Sequence, residues 1–209
     1  MIKIKRYESD LLSSNMYVIT ENGHAIVIDP FDDISPAEGL HIDRIILTHE
    51  HYDHISGVNV WKNARNAPIL CSRVCAENIQ SPRKNLAYYF KDFYELQTWI
   101  KLDNIPVYDP TYSCSADEVF DNEMFFDWKG HRWYLFELPG HSMGSIGIVL
   151  DGEAFFSGDS LIANTEISLR LPGSSKKNWN EIGLPRLKKL PVGIRVYPGH
   201  FKDFVHRTV

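Results

Sequence analysis

Residues 48–54 read T-H-E-H-Y-D-H, three histidines and an aspartate within six positions. Packing that many imidazoles beside a carboxylate costs desolvation and gains little unless a cation satisfies them. The stretch directly follows residues 44–48 (R-I-I-L-T), an apolar run of the kind that forms a strand buried on both faces. A loop leaving a buried strand can aim these side chains into one cleft at a sheet's end. His49 and His51 alternate, so in extended backbone they project to one side; Asp53 and His54 follow at the turn into a helix. Imidazole with carboxylate suits zinc, and also iron or manganese.

The surrounding pattern reads as two β-rich halves, each followed by helix. In the first, residues 15–20 and 25–29 predict strands joined through Asn22-Gly23, a dipeptide that readily takes positive φ, and Pro30 stops the second. Residues 35–40 suit one or two helical turns, and 68–71 another strand. Residues 55–65 read as one helix, with Ile55, Val58 and either Asn59 or Trp61 facing inward. Residues 73–100 have helical character and hold Tyr88, Tyr89, Phe90, Phe93, Tyr94 and Trp99; Ser81-Pro82 looks like a helix start, and 103–115 like loop. The second half predicts a hairpin of 118–128 with 131–138 around Lys129-Gly130, and another of 145–150 with 153–157 around Asp151-Gly152. Residues 179–190 suggest a helix that Pro185 should kink or split, and 194–197 a late strand. This order suggests two packed sheets with helices outside.

Three further polar residues share one local context. His141 (L-P-G-H-S), Asp159 (S-G-D-S) and His200 (Y-P-G-H-F) each follow a β run and a glycine. Singly they are weak signals; with residues 49–54 they complete a set of five histidines and two aspartates. An isolated histidine is ordinarily a surface or satisfied core residue, the reading for His24, His41, His131 and His206.

The ordered combination H-x-H-x-D-H, P-G-H, G-D and P-G-H resembles the metallo-β-lactamase superfamily, from the hairpin at 15–29 to His200. The resemblance implies an α/β fold, a four-layer αβ/βα sandwich in one domain over 1–209, with metals at one edge of two central sheets. It implies that His49, His51 and His141 bind a first metal, that Asp53, His54 and His200 bind a second, and that Asp159 bridges them. It also places Asp29 as a carboxylate supporting the site from outside the ligand set, where such groups orient imidazoles. Two divalent ions, zinc first with iron or manganese as alternatives, can share a water and lower its pKa, so that hydroxide forms near neutral pH. Asp53 is the candidate catalytic residue for handling the proton.

The expected function is a metal-dependent hydrolase acting on a small-molecule thioester or other ester, similar to glyoxalase II. Asp at position 159, where the exported β-lactamases use other ligands, argues against an antibiotic substrate. Only nine residues follow His200, which favours the shorter single-domain form over one with a glutathione-binding helical extension. A lactonase or phosphodiesterase is a weaker expectation. The chief alternative is an oxidoreductase similar to the persulfide dioxygenases, which use one iron on two His and one Asp. A metal-stabilised binding module would need only four ligands, not seven.

Substrate contacts are expected from Arg170, with Lys176 and Lys177 nearby, and from a helical aromatic insertion around 78–112. There Tyr88, Tyr89, Phe93, Tyr94 and Trp99 would form a cover, or a wall selecting an apolar or aromatic acyl group, and Arg83 and Lys84 would add an anion contact. Hydrophobic residues at 44% and charged residues at 23% give an ordinary globular balance, against long disorder. A net charge of −5 argues against a nucleic-acid partner. The N-terminus lacks the apolar run of a signal peptide, and no stretch reaches membrane-spanning length, so a cytoplasmic protein without a membrane partner is expected. Cys71, Cys75 and Cys114 fit reduced, buried thiols.

Overall fold

The computed structural model describes residues 1–97 and 106–207. Among these residues, twelve strands make two six-stranded sheets. In the first, β1 (Lys3–Glu8), β2 (Asn15–Glu21) and β3 (His24–Ile28) run antiparallel, and β4 (His41–Ile46), β5 (Ile69–Ser72) and β6 (Glu118–Phe120) add in parallel, in sequence order across the sheet. In the second, β7 (Glu123–Trp128), β8 (His131–Glu137), β9 (Ile146–Leu150) and β10 (Ala154–Gly158) form an antiparallel meander. The strand β11 (Arg195–Pro198) lies parallel to β10, and the short β12 (Phe204–Val205) closes that edge.

Strand alternation assigns the layers. On β2, Tyr17 and Ile19 face the second sheet and pack with Trp133, Leu135, Ile148 and Phe156, while Met16 and Val18 face the opposite way, toward helices. The outer layer on the first sheet contains α1 (Tyr52–Ile55), α2 (Val58–Arg65), α3 (Arg73–Asn78) and α4 (Phe90–Glu95), with Ile55, Val58, Trp61, Cys75 and Phe90 buried against it. The outer layer on the second sheet contains α5 (Lys176–Asn178) and α6 (Leu184–Leu187); Trp179 and Leu187 cover Phe136, Phe155 and Val196. The result is the expected α/β four-layer sandwich.

Several elements differ from their sequence-based expectation. The helix expected over 55–65 is two helices, because the Gly57 amide donates to the Pro30 carbonyl at 2.9 Å instead of continuing the first. Trp61, not Asn59, is the buried residue; its indole donates to the Phe31 carbonyl at 2.6 Å. The segment 73–97 is broken into α3, a single 3-10 turn at Ala87–Tyr89, and α4. Ser81-Pro82 starts no helix: the Ser81 carbonyl instead closes turns by accepting from the Lys84 and Asn85 amides. Trp99, and the rest of 98–105 within the expected insertion, lie outside the described residues. As expected, the helix is interrupted next to Pro185: a π turn at Trp179–Gly183 gives way to α6 at Leu184, and Pro185 sits in the first turn of α6, where no amide is required. Two strands were not expected: β1, although Ile2-Lys3-Ile4-Lys5 alternates and turns Ile2 and Ile4 to the inter-sheet core, and the two-residue β12, which forms by pairing at a sheet edge.

The ends of β3, β4, β8, β10 and β11 all open on one edge of the sandwich. Crosslinks join the two sheets there: the Ile146 amide donates to the Thr48 carbonyl at 2.8 Å, and the Asn15 amide to the Gly199 carbonyl at 2.7 Å.

Candidate metal centre

Four loops deliver the candidate ligands to this edge. Residues after β4 carry His49 and His51, and α1 carries Asp53 and His54. His141 lies beyond β8, Asp159 directly after β10 and His200 two residues after β11. The structure brings all seven together. His49, His51 and His141 form one group of converging ligand atoms, and Asp53, His54 and His200 another. Asp159 lies against both, with carboxylate oxygens 3.4 Å from His141 Nε2, 3.3 Å from His200 Nε2 and 3.5 Å from His54 Nε2. His51 Nδ1 approaches His141 Nε2 at 3.0 Å, and His54 Nε2 approaches His200 Nε2 at 3.3 Å.

Groups outside the centre orient the rings. His141 Nδ1 donates to the Ser168 carbonyl at 3.2 Å and His200 Nδ1 to the Leu12 carbonyl at 3.1 Å, leaving each Nε2 directed inward. Asp29, one residue past β3 at φ 51°, accepts from the Thr48 amide at 2.7 Å and the Thr48 hydroxyl at 2.5 Å, and contacts His54 Nδ1 at 3.2 Å. Close backbone approach sets two of the glycines. At Gly158 (φ 49°) a Cβ would lie 2.7 Å from Thr48 Oγ1, and at Gly199 it would collide with Asp159 and lie 2.9 Å from His54.

Cations fit this donor set. His49 Nε2, His51 Nε2 and Asp159 Oδ1 are buried without a hydrogen-bond partner, a costly state for three polar atoms facing one centre. Burial, reinforced by neighbouring imidazoles, holds His49 and His51 well below the usual histidine range, in the neutral ligand form; burial also lowers His141. Burial opposes the charged forms of Asp159, His54 and His200 too, but their mutual attraction wins. The Asp159 carboxyl is held well below the carboxylate range by His200 and His54. His54 is pushed up to about 10 by Asp53 and Asp159, and His200 is raised by Asp159.

The sequence reading missed a second buried carboxylate. Glu50 points away from the centre and accepts from Ser142 Oγ at 2.7 Å, Asn78 Nδ2 at 2.8 Å and the Gly144 amide at 3.4 Å, tying the His141 loop to the His49 loop. Its signal was available: in T-H-E-H, strand alternation turns Glu50 to the side opposite its neighbours.

A cavity of about 240 Å³ opens over the centre, with His51, Asp53, His141, Asp159 and His200 in its lining. Leu86, Phe90 and Phe93 form one wall, and Ile162, Ile167 and Leu171 another. Arg170, Tyr88 and Tyr89 are not among the described lining residues. Arg170 is exposed; Tyr88 lies under the Arg83 guanidinium at 4.1 Å, and Tyr89 accepts from Arg83 at 3.2 Å, so these aromatics form a surface cluster beside the wall. Lys84, Lys176 and Lys177 are also exposed. Phe93, expected as a wall residue, does line the cavity, whereas Leu86 and Phe90 were not expected there; Phe90 stands three residues before Phe93 on α4, a spacing that places both on one helix face.

The metallo-beta-lactamase superfamily model matches residues 9–200. A probable metallo-hydrolase of Streptococcus pyogenes serotype M6 is 26% identical over 96% of this chain and 84% of its own. A hydroxyacylglutathione hydrolase of Psychromonas ingrahamii is 27% identical over 96% of this chain, which spans 64% of that enzyme's length. Among solved structures, the BLEG-1 B3 metallo-beta-lactamase superposes with a TM-score of 0.77 over 98% of this chain and 94% of its own, at 23% identity, a likeness of fold. Among the described residues, no helix is long and apolar enough to cross a membrane.

Proposed function

From the premise that this chain belongs to the metallo-beta-lactamase superfamily, we propose that it is a binuclear metallohydrolase cleaving a small thioester or other ester with an apolar acyl group. The observation that carries this reading is the pair of ligand groups, His49/His51/His141 and Asp53/His54/His200, on either side of Asp159. Zinc is the first expectation for both, with iron or manganese as alternatives. When bound, such a pair supplies a nucleophile from water at neutral pH and polarises the attacked carbonyl oxygen.

The chain's own residues supply the rest. Asp53, with Oδ2 3.3 Å from His54 Nε2 and 3.5 Å from His200 Nε2, takes the proton of the attacking water and returns it to the departing thiol or alcohol. Water's oxygen forms the new C–O bond, the C–S or C–O bond breaks, and an acid and a thiol or alcohol leave. The apolar walls exclude bulk water and hold the acyl group. No Lys or Arg stands among the described lining residues, and Glu166 is the one carboxylate there beyond the candidate ligands, which supports an uncharged acyl group over an anionic one. Arg170, Tyr88 and Tyr89 then act at the rim, on the part of the substrate outside the cavity. The reading extends to a cytoplasmic protein with a small-molecule substrate.

Purified, metal-loaded protein is tested against neutral acyl-thioesters, lactones and S-acylglutathiones, with ion content measured in parallel. The expected result is turnover of neutral acyl substrates that falls at least about 1,000-fold in His51→Ala and Asp159→Asn. Equal turnover in those variants overturns the reading. One iron per chain with oxygen uptake replaces it with persulfide-dioxygenase-like oxidation.

A further inference from the structure

His24 and His41 are far apart in sequence but adjacent in the fold. They begin β3 and β4 and stand opposite one another in the parallel ladder, with ring centroids 5.1 Å apart. Asp43, two residues along β4, lies between them: its carboxylate is 2.9 and 3.0 Å from His24 Nδ1 and 2.9 Å from His41 Nδ1. Candidate ligand atoms of the three residues all lie within 4.8 Å of one another. The Trp128 indole, at the end of β7 in the other sheet, donates to Asp43 Oδ2 at 2.7 Å and fixes the carboxylate's orientation.

We propose that His24, His41 and Asp43 form a separate binding site for a single borderline divalent metal ion, of the zinc, nickel or copper(II) class. Two imidazoles and one carboxylate suit that class rather than calcium or magnesium, whose ligands are mostly oxygen. The side chains are 34%, 71% and 22% exposed, so an ion enters from solvent and keeps water in its remaining positions. Partial burial works against ionisation of Asp43, but the Trp128 and His24 contacts overcome it and hold the carboxyl below its ordinary value, in the form that binds a cation. Lys129 is the cation on the opposing element; it also lowers Asp43, and it limits the affinity.

The site stands apart from the candidate metal centre. It lies at the starts of β3 and β4, whereas Asp29 and the His49 loop leave their far ends, about 17 Å along a five-residue strand. An ion here joins two strands of the first sheet to Trp128 of the second, on the edge opposite the candidate centre. It therefore acts as a structural clamp, whichever reaction the main centre performs.

The test uses full-length protein whose main centre has first been saturated with zinc. It is then titrated with copper(II) alone and followed by electron paramagnetic resonance and tryptophan fluorescence. The expected result is one further ion per chain, a spectrum with two nitrogen ligands, and quenching that is reduced in Trp128→Phe. His24→Gln/His41→Gln should lose the two-nitrogen spectrum and bind one ion fewer, while retaining the zinc held by the main centre. Asp43→Asn, which keeps the side chain's size, should weaken copper binding about tenfold or more and decides the matter if the double variant fails to fold. An unchanged spectrum and ion count in the double variant, or an unchanged copper affinity in Asp43→Asn, overturns the proposal.

Discussion

Asp29 illustrates how much a residue outside the ligand set can control. Burial raises its pKa against the pull of His54, and it holds both Thr48 and His54. Its backbone is in the left-handed region at φ 51°, which an Asp tolerates better than most residues. Asp29→Asn keeps the size and a carbonyl acceptor for Thr48 but removes the anion facing His54 Nδ1. The expected outcome is a metal affinity about 10- to 100-fold weaker at the Asp53/His54/His200 group, with unchanged far-ultraviolet circular dichroism. Competition with a chromophoric chelator measures it, and equal affinity in variant and parent would remove the orienting role. The candidate ligands His49, His51, Asp53 and His54 were legible because H-x-H-x-D-H is dense enough that no packing explanation competes. His24, His41 and Asp43 were not, because each is unremarkable alone and only strand pairing makes them neighbours.

At the scale of elements, the strands with turn dipeptides were the most legible. The β2–β3, β7–β8 and β9–β10 turns fall where Asn22-Gly23, Lys129-Gly130 and Asp151-Gly152 predict them, because local φ preference and alternation agree, but the strand expected over 118–128 divides, β6 joining the first sheet and only β7 the hairpin. Helices were read too long: the breaks in the 55–65 and 73–97 regions come from contacts with distant backbone and from turns that propensity does not encode. The pairing of β3 with β4 also makes a pH prediction, for metal-free buffer. The Asp43 carboxyl is lowered in the folded state, so its contribution is fully present above the unfolded value of about 3.9 and disappears as pH falls through the lower folded value. His24, His41, Trp128 and Lys129 are the groups that face it. Asp43→Asn should destabilise the protein by about 1 kcal/mol at pH 6, and the difference should be smaller at pH 3, below the unfolded value of about 3.9. Urea unfolding at both values checks this; a constant difference would mean that the ionised carboxylate is not its source.

For the whole molecule, the candidate centre lies between the two sheets. His49, His51, Asp53 and His54 follow a strand of the first sheet, while His141, Asp159 and His200 follow strands of the second. An ion held by both sets crosslinks the sandwich and stabilises only the folded chain. At free metal 100 times the dissociation constant, that linkage is worth about 2.7 kcal/mol per site. Chelation should therefore lower the melting temperature by several degrees, and readdition of zinc should restore it, with a much smaller response in the Asp159→Asn variant. Scanning calorimetry reads the effect; identical melting with and without chelator would show that the sheets are not joined through metal.

Sequence alone determined the candidate ligand cluster, the hairpins and the layered class, because these follow from short-range spacing: alternation for strands, positive-φ dipeptides for turns, and a density of imidazoles that a cation would relieve. Tertiary structure decided which residues wall the cavity, that Tyr88 and Tyr89 stand with Arg83 beside it, and that Glu50 and Asp29 brace opposite sides of one loop. It also decided that two ordinary histidines share one aspartate. Each of these is a distance between residues remote along the chain, set by how two sheets pack and which strands pair, and no local pattern carries that information.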